Sequence, residues 1–143
     1  MGPHNLEGGE TVKSMNFSLS RSALFAFFTL VIWIMLPAGI FLIINGNAVW
    51  GVIMVAAAIA VIVTATNSRI LLALGDRSIP KTRGYFMVIG SVSAAVIMAL
   101  YSILLTAPMK GVSFLGSIHA IGIVLFAAWA AIQLLKSMHH QGV

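Results

Sequence analysis

Across residues 22–135 ionised side chains are almost absent, and the few that occur sit in two short connections or at one helix end. The remaining positions fall into four long apolar runs. A bilayer core about 30 Å thick is crossed by roughly 20 helical residues rising 1.5 Å each, and every run is close to that length. The expected fold class is an all-α membrane protein with four transmembrane helices in two antiparallel hairpins, at about 22–44, 48–70, 85–106 and 112–135.

Composition leads to the same expectation. Hydrophobic residues make up 60% of the chain and charged residues 8%, whereas a soluble domain carries about a quarter charged residues, so a water-facing surface cannot be built from this material. The partner is then the lipid bilayer. After four helices, 143 residues leave no length for a second domain, and residues 15–143 form one membrane domain. Residues 1–14 differ from the rest of the chain: they hold Gly2, Pro3, Glu7, Gly8, Gly9 and Glu10 and no apolar run. They are neither a signal-peptide core nor a span, and we read them as a disordered tail, either an expression remnant or a native soluble extension. Met15 is a candidate native start.

Within the first run, Pro37 removes one backbone hydrogen bond and Gly39 lies two residues beyond it, a pattern that bends helices. Asn45, Gly46 and Asn47 tolerate positive φ and make a tight turn into the second run. Ala56, Ala57, Ala58 and Ala60 give that run a small-residue face. Its far end is mixed: Asn67 and Arg69 are polar, and an apolar stretch resumes at Ile70. Either the helix continues obliquely or a short interfacial turn comes next, with Arg69 snorkelling to phosphate. The connection 75–84 is the one substantial polar loop. Gly90 with Ala94 in the third run, and Gly116 with Ala120 in the fourth, are small pairs four residues apart, the spacing that lets helices approach closely.

The net charge of +5 is spread over helix flanks rather than along one patch, which speaks against nucleic acid and for membrane orientation. With the amino end on one side, Lys13, Arg21, Arg69, Arg77, Lys81, Arg83 and Lys136 all fall there, against Lys110 alone on the other. The expected location is a bacterial-type plasma (inner) membrane with both termini cytoplasmic.

Chemistry-bearing patterns are scarce. There is no cysteine, no Asp or Glu within any apolar run, no pair of carboxylates for acid–base work, no HExxH and no glycine-rich phosphate loop. No catalytic residue, metal or cofactor is expected; paired axial haem ligation needs two histidines within the spans, and His119 alone qualifies. His119 and Tyr101 are the titratable groups inside the runs away from their ends. His119 either glues helices, by bonding to Tyr101, Ser102 or a backbone carbonyl, or titrates along a water path; the packing role is favoured because no second ionisable partner accompanies it. Gln133 reads the same way. The candidate polar residues are thus His119, Tyr101, Gln133, Asn67 and Arg69.

Two function classes remain. The favoured one is a non-enzymatic protein acting by helix–helix interaction, an accessory, regulatory or immunity-type subunit that binds itself or another membrane protein. The alternative is an oligomeric channel or a transporter of anions or small solutes, because four helices rarely enclose a solute path alone.

Overall fold

A computed structural model describes residues 16–142, with side chains up to His139. The expected tail, residues 1–14, lies outside them. Among the described residues, the regular structure is helical apart from one two-residue strand pair, β1 (Asn16–Phe17) with β2 (Ile79–Pro80). Its five helices are α1 (Arg21–Ile44), α2 (Ala48–Thr66), α3 (Ser68–Gly75), α4 (Lys81–Thr106) and α5 (Ser113–Gly142). Four of them, all but α3, are long and apolar enough to cross a membrane.

Helices α1 and α5 are the inner pair: α2 packs on α1, α4 packs on α5, and α1 packs on α5. Helix α5 runs back along α1, with Ser137 beside Ser20, Trp129 beside Phe25 and His119 beside Trp33. The central position of α5 shows in its burial: a third of its apolar window is buried (33%), against 11% for each of the other three long helices. Its buried face recurs at helical spacing through Ala120, Ile123, Ala127, Ala130, Leu134 and Met138. Ala26 and Leu30 of α1 and Ala95 and Ala99 of α4 meet that face. The core is therefore made largely of alanine, which lets backbones approach closely.

Helices α1 and α2 approach closely where Gly39 and Gly51 face one another. A Cβ on Gly51 would lie 2.6 Å from the carbonyl oxygen of Gly39, and one on Gly39 would lie 3.0 Å from that of Gly51. Both are below ordinary contact distances, so glycine is required on both sides. The turns at the far end use Gly46 (φ +92°) and Gly111 (φ +82°), backbone conformations that side chains disfavour.

At the opposite end several elements converge. β1 pairs with β2 (Asn16 with Pro80, Phe17 with Ile79), and buried Phe17 packs with Leu134 and Met138. Gly84 of α4 sits against Phe17 and Met138 with no room for a Cβ. Ser137 donates to Ser20 Oγ at 2.8 Å, and Ser20 Oγ caps α1 by accepting from the Ala23 N–H. Arg21, Arg69, Arg77, Lys81, Arg83 and Lys136 all belong to this end, and Lys110 lies in the turn at the other.

The boundaries differ from the sequence expectation in three places. The second run stops at Thr66 rather than 70, because Asn67 adopts an extended conformation and its side chain accepts the N–H groups of Arg69 and Ile70, starting α3 as a new helix. The helix of the third run, α4, starts at Lys81 rather than 85: Pro80, extended at ψ 139°, precedes its polar first turn, and Gly84 in that turn packs against Phe17 and Met138. The expected long loop 75–84 thus shrinks to a few residues and β2. The helix of the fourth run, α5, continues past 135 to Gly142.

Candidate functional site: a histidine clamp between three helices

Pro37 lies inside α1 and has no N–H, so the carbonyl of Trp33, four residues earlier, loses the donor it would have in a regular helix. In apolar surroundings such an orphaned carbonyl costs about 1–3 kcal/mol. The missing donor comes from another helix: His119 Nε2 of α5 lies 2.7 Å from the Trp33 carbonyl oxygen. A carbonyl only accepts, so Nε2 carries the hydrogen. In return the Trp33 indole Nε1–H donates to the carbonyl of His119 at 3.0 Å. Each residue thus offers its side-chain donor to the other's backbone.

The second imidazole nitrogen faces α4. Nδ1 lies 3.1 Å from Ser102 Oγ, and the same hydroxyl lies 3.1 Å from the carbonyl of Gly116. With Nε2–H donating, a neutral imidazole accepts at Nδ1, so the one hydroxyl hydrogen of Ser102 is divided between two acceptors at equal distance. Thr106 continues the chain of bonds on α4, donating to the carbonyl of Ser102 at 2.7 Å. His119 therefore ties α5 to α1 through one nitrogen and to α4 through the other.

Small residues create the room. Gly122 faces the Trp33 indole, which occupies the space where a Cβ would stand. Gly116 likewise faces the Thr106 side chain. A run of rings seals the α1–α5 seam: Trp33 lies 5.8 Å from the His119 ring and 5.6 Å from Phe126, and Trp129 lies 6.0 Å from Phe25, spacings within the favourable range for ring pairs.

The other candidate residues are dispersed. Tyr101, next to Ser102, points outward and is 60% exposed. Gln133 is half-buried near the basic end, and its backbone carbonyl shares the one Ser137 hydroxyl hydrogen with Ser20 Oγ. Asn67 serves as the cap of α3, and Arg69 is exposed on that helix. Of the small pairs, Gly116 and Ala120 are buried between α4 and α5. Gly90 and Ala94 face outward: both are exposed, and among the described residues a Cβ on Gly90 would meet nothing within 4 Å. Helix α4 turns Ala95 and Ala99 inward instead, one residue further round the helix. Because α4 is apolar on all sides, periodicity carries no signal for which small face is used.

Trp33 and Gly122 do not stand out in the sequence read alone. A signal for the first exists all the same: a proline within an apolar helix marks the residue four places before it as a carbonyl in need of a donor, and His119, the one histidine within the four runs, carries such a donor. No known protein family matches the chain, and no curated protein or solved structure is significantly similar to it.

Proposed function

We propose that the chain is an integral membrane protein, crossing the bilayer four times as two antiparallel hairpins (α1–α2 and α4–α5), and that it acts without catalysis by offering a helix face to another membrane protein or to a second copy. An accessory, regulatory or immunity-type role fits this mode of action. The observation that carries the reading is the outer face of α4. Phe86, Ile97, Tyr101 and Leu104 are exposed along it, with Gly90 and Ala94 at helical spacing among them. A face of this kind is stable against lipid, and its small pair admits another helix at close range. Six cations at the basic end, against Lys110 at the other, support a cytoplasmic location for both termini at a plasma (inner) membrane.

His119, the group a transport mechanism would use, has both ring nitrogens bonded to protein, which speaks for a structural role. The Ser102–His119 pair has the composition of a nucleophile and base, yet hydrolysis also needs donors for an oxyanion and a substrate path, and the Ser102 hydroxyl is already bonded to the Gly116 carbonyl.

The test is photo-crosslinking from an exposed position of α4, with a photoreactive residue in place of Ser93, in native membranes. The expected result is one discrete adduct that disappears in Gly90→Leu while that variant keeps the helical content and melting temperature of the parent. Absence of any adduct, together with flux of ions or small solutes through liposomes holding the purified protein, would overturn the reading in favour of a transporter.

A further inference from the structure

At the basic end α1, α2 and α3 enclose a groove of about 210 Å3, lined by Arg21, Phe25, Phe28, Thr66, Ser68 and Leu71. It has two chemically distinct parts. Arg21 begins α1, and Thr66 and Ser68 flank the break between α2 and α3, so the cation and the two hydroxyls come from the polar ends of three helices. Phe25 and Phe28 lie one and two turns along α1, and with Leu71 they make an apolar wall; Phe25 is 59% exposed and free to touch a bound molecule. Thr66 donates its hydroxyl hydrogen to the Val63 carbonyl, which leaves its oxygen lone pairs for a hydrogen-bond donor.

Charge decides what such a groove accepts. Among the described residues this end holds six Lys and Arg side chains against one carboxylate, Asp76, so the described acids leave it positively charged. Neither α1 nor α3 has an acidic residue in its first turn, so their positive ends carry side-chain caps but no offsetting carboxylate. A guanidinium matches a phosphate diester through paired N–H donors. The aromatic wall beside it matches hydrocarbon, which a soluble phosphate would leave unused.

We propose that this groove binds an anionic glycerophospholipid, with the headgroup phosphate on Arg21 and Ser68 and the upper part of an acyl chain along Phe25, Phe28 and Leu71. Basic pockets between helices at the cytoplasmic boundary are the places where such headgroups are held. The site rests on the membrane reading above and is independent of the partner reading. It gives the break at Asn67 a purpose: by starting a new helix there, the chain brings Ser68 and Leu71 of α3 to the groove.

The experiment is native mass spectrometry of the full chain in non-ionic detergent, offered equal amounts of phosphatidylglycerol and phosphatidylcholine. Retention of phosphatidylglycerol should exceed that of phosphatidylcholine about tenfold, the scale of one charge-assisted contact. Arg21→Gln should remove the preference, whereas Arg83→Gln, at the same end but outside the groove, should keep it. Ala65 also lines the groove, and Ala65→Leu, which fills it without altering charge, should weaken retention of both lipids. Equal retention of the two lipids by the parent, or the same loss in Arg83→Gln as in Arg21→Gln, would overturn the proposal. Displacement of the lipid by millimolar inorganic phosphate would also overturn it, since the site would then belong to a soluble anion. Flotation of the protein with vesicles of phosphatidylcholine alone checks membrane insertion separately; failure to float would reject the membrane reading itself.

Discussion

His119 and Trp33 exchange hydrogen bonds in both directions, Nε2–H of the imidazole to the Trp33 carbonyl at 2.7 Å and Nε1–H of the indole to the His119 carbonyl at 3.0 Å. The exchange exists because Pro37 leaves that first carbonyl without its helical partner. A proline that weakens α1 in isolation thus becomes the point where α5 is attached to it. Neighbouring helices commonly restore backbone groups freed in this way in apolar surroundings.

Replacement of His119 should separate hydrogen bonding from charge. His119→Gln and His119→Asn keep an N–H donor and should retain most of the stability, whereas His119→Leu should lose about 1 kcal/mol, in the range of hydrogen bonds between membrane helices. Unfolding in detergent tracked by circular dichroism measures both. The Pro37→Ala background supplies the sharper comparison, because it returns an N–H to the Trp33 carbonyl. There His119→Leu should cost markedly less, and the difference is the coupling between the two sites. An unchanged cost in that background would show that the imidazole stabilises the fold by some route other than the orphaned carbonyl.

Glycines should respond according to what faces them. Gly122→Ala puts a methyl group into the Trp33 indole, and Gly51→Ala puts one against the Gly39 carbonyl; overpacking of this kind costs about 1–3 kcal/mol. Gly90→Ala meets open space and should leave stability unchanged or raise it, since alanine is favoured over glycine within a helix by about 1 kcal/mol. Melting temperatures of the three variants in detergent decide the matter. Equal destabilisation by all three would mean that the contacts at Gly51 and Gly122 are not limiting.

Topology is open to a labelling test. Ser78 lies between α3 and β2, is exposed, and belongs to the basic end. With no native cysteine in the chain, Ser78→Cys is the sole thiol, and it should resist a membrane-impermeant maleimide in intact cells and react once they are opened. Labelling in intact cells would reverse the assigned orientation.

Much of the architecture is legible along the chain because its causes are local. Four helices arise from runs of apolar residues near the length of a bilayer crossing, and the two glycine turns from Gly46 and Gly111. The one-sided distribution of Lys and Arg needs only a count of alternating connections. The existence of α3 is half visible in the polar break at Asn67, but its separation from α2 depends on which way the Asn67 side chain bonds. The pairing of Asn16 and Phe17 with Ile79 and Pro80 has no local sign, since two residues carry no periodicity.

Only tertiary structure decided which faces of these helices meet. In a soluble helix one polar face points to water and the apolar stripe reveals the core, but α1, α2, α4 and α5 are apolar around most of their circumference, and the same hydropathy serves lipid and protein alike. Gly90 with Ala94 and Gly116 with Ala120 have identical spacing, yet the first pair faces outward and the second is buried, because Ala95 and Ala99 fit the surface of α5. Among so many equivalent apolar contacts, the register is specified by the few groups that must find a partner: a carbonyl orphaned by Pro37, an imidazole and an indole that each carry a donor, and glycines that yield the space for them.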